Sequence, residues 1–160
     1  MATTTFAIIR DQIIVKIKAI TPTLLAGDKF DHVPKRYTVE EYVDSAGGSG
    51  TLRRFDLRRS GMVETLPHLG TSEIMREEFA LLTVAYPKTL GRYGMNDRLD
   101  MDDVIRGDAR QIRDTIMSTG NFVSGQSEAQ VTIQEPERGD STWFQSFLIR
   151  VLYLEAQSIT

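Results

Sequence analysis

The sequence predicts an α+β fold: a single domain, mainly antiparallel sheet, with two helices packed on one face and a C-terminal β-hairpin with a long last strand. Three observations carry this reading. Two segments, near residues 6–20 and 100–118, repeat apolar residues at helical spacing. EEFALLTVAYP (77–87) and STWFQSFLIRVLYLEAQ (141–157) are instead apolar on both faces at period two, the mark of central strands. The order runs helix, strands, helix, hairpin, without the βα alternation that builds a parallel sheet.

The first helix follows Thr3–Thr5, whose hydroxyls accept from unpaired N–H groups at a helix start. Phe6, Ile9, Ile13, Ile17 and Ile20 form its stripe. Ile8, Ile14 and Val15 widen that stripe, so much of the helix is expected to be covered. Pro22 ends it, because the residue before proline is pushed out of the α region. Residues 24–50 have apolar residues but no period and read as an extended loop excursion. A short strand around 36–39 and a flexible AGGSG tip are expected inside it.

TLRRFDLRRS (51–60) reads as a strand with a basic solvent face, followed by a loop over 61–72. In the strand 77–87, Phe79, Leu81, Thr83 and Ala85 face one way and Ala80, Leu82, Val84 and Tyr86 the other. The second helix spans about Asp100 to Ser118. Met101, Val104, Ile105, Ala109, Ile112 and Ile116 make its apolar face, and Asp100, Asp102 and Asp103 suit its positive N-terminal end. Gly120 is placed to cap it. Gly107 costs ~1 kcal/mol against alanine and suggests close packing on a strand.

SEAQVTIQ forms the first arm of the closing hairpin, PERGD the turn, and 141–157 the second arm. A straight strand of that length would span roughly 50 Å, far beyond the usual strand. Trp143, Phe147, Ile149, Val151 and Tyr153 point to one side; Phe144, Leu148, Arg150, Leu152 and Leu154 to the other.

Composition limits the function classes. At 160 residues the chain is long enough for one core and short for two. Its net charge of −3 gives no broad basic footprint for nucleic acid. With no cysteine there is no disulfide framework, thiol nucleophile or cysteine-ligated zinc. The N-terminal apolar run lacks a charged leader and is broken by Arg10, Asp11, Lys16 and Lys18, so neither a signal peptide nor a membrane span is expected there. A cytoplasm-like compartment is expected.

Candidate chemistry is sparse. Asp28, Asp31 and His32 could converge on a metal, but loop composition explains them more simply; His68 lies far away. Asp100, Asp102 and Asp103 could pair as carboxylates, yet helix-start electrostatics accounts for them. Gly47-Gly48-Ser49-Gly50 lacks the Gly-Lys ending of a phosphate loop, and no G-x-S-x-G elbow is present. No catalytic, cofactor-binding or metal-ligating residue is assigned. Arg53, Arg54, Arg58 and Arg59 are the principal charge feature. They could touch DNA phosphate, an acidic patch on a protein partner, or only solvent on a charge-protected edge strand. Glu40 and Glu41, with Asp44, could serve by their sign as a complementary patch on a neighbouring copy.

The element order and several local patterns resemble a known family. They are IIRDQIIVKIKAI, a loop excursion, EEFALLTVAYP with its V-x-Y-P ending, VIRGDARQIRDTIM, and the hairpin AQVTIQEPE/FQSFLIRVLYLEAQ with its I-R-V-x-Y. Together these resemble the tail terminator, or tail-completion, proteins of long-tailed bacteriophages, the minor tail protein U-like group. The resemblance spans nearly the whole chain in element order and rests on no catalytic motif. It implies one α+β domain in a homo-hexameric ring at the head–tail junction of the virion, without catalysis or cofactor. Such a ring caps the tail tube protein, stops its polymerisation and docks the head-completion or connector protein, and genome DNA passes through its lumen. In such a ring the long last strand would serve an interface, with Ile149 and Tyr153, beside Glu40 and Glu41, as candidate subunit contacts.

Three other readings stand beside it. The tail-to-head joining proteins of the neck resemble the same fold. A small-molecule-binding or enzymatic α+β domain would need a polar-lined pocket. A nucleic-acid module would use the arginine strand and bind with steep salt dependence.

Overall fold

The computed structural model describes residues 6–33, 53–64, 73–87, 101–117, 127–139 and 142–156. In chain order they form α1 (Phe6–Lys18), β1 (Phe30–His32), β2 (Arg53–Glu64), β3 (Glu73–Pro87), α2 (Met101–Met117), β4 (Ser127–Ile133), β5 (Glu137–Arg138) and β6 (Thr142–Ala156). The sheet order is β1-β2-β3-β6-β4, with β5 also paired to β6. Only β1–β2 is parallel; the other pairings are antiparallel. The fold is α+β, as the patterning predicts.

β3 and β6 are the spine. Each has 15 residues, and they pair from Glu73↔Ala156 to Pro87↔Thr142. β4 takes the other edge of β6, from Ser127↔Tyr153 to Ile133↔Phe147. β6 is therefore an interior strand, which is why neither of its faces is polar. Its faces still differ. Phe147, Ile149, Val151 and Tyr153 are buried, whereas Phe144, Leu148, Arg150 and Leu152 are half-buried.

The core lies between one sheet face and the two helices. α1 contributes Phe6, Ile9, Ile13 and Ile17; α2 contributes Val104, Ile105, Ala109, Ile112 and Ile116. Phe55, Leu57, Ala80, Leu82, Val84 and Tyr86 meet them from the sheet. Full burial of each large aliphatic side chain stabilises by about 1.5–3 kcal/mol.

Several expectations need correction. Ile8 and Val15 do not widen the buried stripe of α1; they are 39% and 66% exposed, because one helix face suffices to cover this sheet. α1 stops at Lys18, short of Pro22, and the Ile20 N–H closes onto the Ile17 carbonyl at 3.1 Å. An added Cβ at Gly107 would meet nothing within 4 Å, so no close packing explains that glycine.

β2 does not end at residue 60 but runs to Glu64, with a register shift between Arg59 and Gly61. The shift is a β-bulge: Arg59 pairs with Ala80 and Gly61 with Phe79, so β2 carries one extra residue there against β3, which itself begins at Glu73, earlier than the expected 77. β1, absent from the sequence reading, adds a parallel edge through Phe30↔Arg53 and His32↔Phe55. The expected strand at 36–39, the AGGSG tip and the caps at Thr3–Thr5 and Gly120 lie outside the described residues. In the hairpin turn a Cβ at Gly139 would lie 2.6 Å from the Thr142 carbonyl oxygen, so only glycine fits there without a shift.

Candidate functional site

The sheet face away from the helices has its own order. Registration places Leu81 opposite Leu148, Phe79 opposite Arg150, Glu77 opposite Leu152 and Ala85 opposite Phe144. Phe79, Leu81, Phe144, Leu148 and Leu152 thus form an apolar band, all half-buried and none belonging to the core cluster. Among the described residues both helices pack on the opposite face.

Polar residues interrupt the band: Thr83 and Ser146 lie between Leu148 and Phe144, and Arg150 lies between Leu148 and Leu152. Arg150 donates to Glu77 Oε2 at 2.9 Å and to Gln130 Oε1 at 3.3 Å. The hydrogen bond from Arg150 holds the Glu77 carboxyl below its ordinary range. Thr83 Oγ1 and Ser146 Oγ lie 3.4 Å apart, and Arg58 Nε lies 3.9 Å from Asp56 Oδ2. Apolar and polar side chains therefore alternate along this face.

The arginines of β2 do not form one basic face. Strand alternation separates them, and packing then decides each. Arg53, expected to face a partner or DNA, is fully buried on the helix side. Its Nε donates to Asp108 Oδ2 at 2.6 Å and its Nη2 to Asp108 Oδ1 at 3.1 Å. Its remaining N–H groups reach the carbonyls of Leu24 at 2.6 Å, Leu25 at 3.0 Å and Asp28 at 2.7 Å. Every donor of the guanidinium is satisfied. Tyr86 Oη also donates to Asp108 Oδ2, at 2.9 Å. Burial pushes the Asp108 carboxyl above its ordinary value, against the opposing pull of Arg53 and Tyr86. This node ties β2, β3 and α2 to the 24–28 loop, where Leu25 is held at a left-handed φ of 53°.

Arg54 lies on the other face and is only 9% exposed, so it is no open cation either. Arg58 is half-buried on that same face. Arg59 is exposed on the helix side, where its guanidinium covers the Phe6 ring at 5.0 Å. It lies 2.9 Å from Oε2 of the buried Glu78 and donates to Oε1 at 3.2 Å; the first approach is a charge contact rather than an aligned hydrogen bond. Tyr153 Oη donates to the same Oε1 at 3.0 Å.

Tyr153 and Ile149, expected at a subunit interface, are therefore core residues beneath the helices, 2% and 0% exposed. The interface expectation for this strand passes to its other face, that of Leu148 and Leu152. Glu40 and Glu41 lie outside the described residues. Asp28, Asp31 and His32 do not converge: no group of three or more potential metal ligands occurs among the described residues. No helix among them is long and apolar enough to cross a membrane.

The sequence reading missed Asp108 and Tyr86. A signal for Asp108 existed: an aspartate at 108 sits on the otherwise apolar stripe of α2 between Ile105 and Ile112. A charge on a buried stripe needs a buried partner.

No protein-family model and no curated protein sequence matches this chain.

Proposed function

We propose that this chain is a structural virion protein of a long-tailed bacteriophage: a tail terminator that forms a homo-hexameric ring at the head–tail junction. In this reading it caps the tail tube protein, halts polymerisation, offers the docking surface for the head-completion or connector protein, and lets genome DNA pass through its lumen. No catalysis and no cofactor is invoked.

The observation that carries the reading is the band Phe79–Leu81–Phe144–Leu148–Leu152. Helices cover one face of the sheet, and the other keeps apolar side chains interleaved with Arg150, Thr83 and Ser146. Half-buried apolar side chains on the face away from the helices suit a contact with a second copy. The sequence's resemblance to the tail terminators in element order supports the same assignment and suggests the partner class, a second copy and the tail tube. The 15-residue β6 acquires a purpose: one of its faces builds the core and the other meets a neighbour.

Electron microscopy of particles from a phage with this gene disrupted tests the proposal. Overlong or headless tails beside filled heads are expected. Tails of correct length beside separate heads would instead assign the chain to the tail-to-head joining proteins. Normal particles would remove it from the neck.

A further inference from the structure

On the flank of α2 lies a cleft of about 350 Å³ between that helix and the segment joining β4 to β5. α2 packs on the sheet face opposite the apolar band, so a copy seated on the band meets the other side of the sheet. Arg106, Arg110 and Arg113 line the helix wall of the cleft, and Arg138 lines it from β5. Two carboxylates also line it, Asp102 and Glu135, and both act on Arg138. Arg138 Nη2 donates to Asp102 Oδ1 at 2.9 Å. That hydrogen bond is the main cause raising the Arg138 guanidinium above its ordinary value, and the charge of Glu135 adds to it. The acidic end of the cleft is thus spent on Arg138, beside the start of α2. The other three arginines continue along the helix away from it. Four guanidiniums against two carboxylates leave the lining net positive.

Arg106 and Arg110 are exposed and have no ion-pair partner among the described residues. Arg113 is engaged by its neighbour Asp114 at 3.2 Å. The three recur on one side of the helix along about 10 Å of its axis. Like charges one turn apart repel, so the row costs the helix stability that a bound polyanion would restore. A single small anion would neutralise one position and leave the rest. One strand of duplex DNA carries a phosphate at roughly every 3.4 Å of axis, so several fall within the length of the row. Beneath the row Ile105 and Ala109 are 2% and 4% exposed, which leaves little apolar surface there for an apolar partner to cover. The chain's net charge of −3 does not oppose such a contact, because charges farther than about 10 Å away are largely screened at 0.1 M salt.

The arginines at the start of β2 cannot take this part: Arg53 is buried against Asp108, and Arg54 is 9% exposed. We infer that Arg106 and Arg110 of α2, with Arg113 beside them, bind the phosphodiester backbone of duplex DNA. Resting on the ring-forming reading, this side of α2 then faces the lumen through which the genome passes.

Fluorescence anisotropy of a labelled short DNA duplex, titrated with the full chain at several salt concentrations, tests this. Two duplexes of unrelated sequence should bind alike, since phosphate contacts carry no sequence information. Arg106→Gln with Arg110→Gln should weaken binding by about tenfold or more and reduce the slope of log affinity against log salt by about 2. That variant should fold at least as well as the wild type, because it relieves repulsion along the row; thermal melting checks it. Arg106→Lys with Arg110→Lys keeps both charges and should keep most of the slope. Arg58→Gln, on the opposite sheet face, should leave binding unchanged. A wild-type chain that does not bind the duplex, or a folded glutamine variant that binds like the wild type, would overturn the inference. Loss of binding in the Arg58 variant alone would move the contact to β2. Tighter binding of poly-glutamate than of DNA would give the cleft to an acidic protein instead. Row-dependent DNA binding by a chain whose disruption leaves phage particles normal would keep this contact and remove the ring reading. Overlong tails on disruption, without DNA binding by the chain, would do the reverse.

Discussion

Arg53 and Asp108 meet 2.6 Å apart inside the protein, 55 residues apart in sequence, with neither side chain more than 2% exposed. The pair joins the start of β2 to the middle of α2. Because Arg53 also holds three loop carbonyls, losing it would leave four acceptors to be resatisfied in a dry site.

Arg53→Ala and Asp108→Ala should each destabilise by about 3–5 kcal/mol, since each strands a buried opposite charge. Arg53→Met with Asp108→Leu should cost clearly less than the sum, because no charge is left behind. Urea unfolding of the three variants checks this; additive losses would mean that the two residues are not coupled. One consequence concerns DNA. Joint replacement of Arg53 and Arg54 would unfold the chain before it reported on binding, so a DNA-contact test belongs at Arg58.

Leu148 and Ile149 are neighbours in β6 that face opposite ways. Ile149→Asp should abolish folding or leave insoluble protein, as it places an unpaired charge in the core. Leu148→Lys should change stability by no more than ~1 kcal/mol, as expected away from the core. It should instead reduce self-association. Thermal melting paired with light scattering separates the two outcomes. Unfolding of the Leu148 variant would put the core on the wrong face.

Burial holds His32 below its ordinary value, the largest influence on it; Asp56 and Asp31 pull the other way, and Lys18 and Arg10 add to the lowering. Its ring lies 5.2 Å from that of Phe55. The folded state therefore binds this proton less readily than the unfolded chain. The resulting stability is complete above the ordinary value of 6.5 and is lost as pH falls from there toward the folded value. His32→Gln should flatten that part of the stability profile between neutral pH and the onset of carboxylate titration. Identical slopes in the two proteins would exclude His32 as the source.

Two glycines should respond in opposite directions. Gly107→Ala, in mid-helix with open space at its Cβ, should stabilise by about 0.5–1 kcal/mol. Gly139→Ala meets the Thr142 carbonyl oxygen at 2.6 Å and should destabilise by about 1–3 kcal/mol while the hairpin turn shifts. Thermal midpoints of the pair decide it.

The sequence by itself determined the two helices with their buried stripes and the two long central strands. The stripe Phe6–Ile9–Ile13–Ile17, the stripe of α2, and the period-two split of β3 and β6 are local patterns, legible because each element repeats its apolar residues at its own period. Only the tertiary structure decided which face of β6 lies under the helices, since both are apolar and period two cannot choose between them. It also decided the fate of the arginines. Strand alternation puts Arg53 and Arg54 on opposite faces, but that Arg53 is drawn inward depends on Asp108, Tyr86 and the 24–28 carbonyls, all remote in sequence. The bulge after Arg59 and the parallel edge of β1 were hidden for the same reason. Each exists only because a distant strand completes its hydrogen bonds, and no local window of sequence contains both partners.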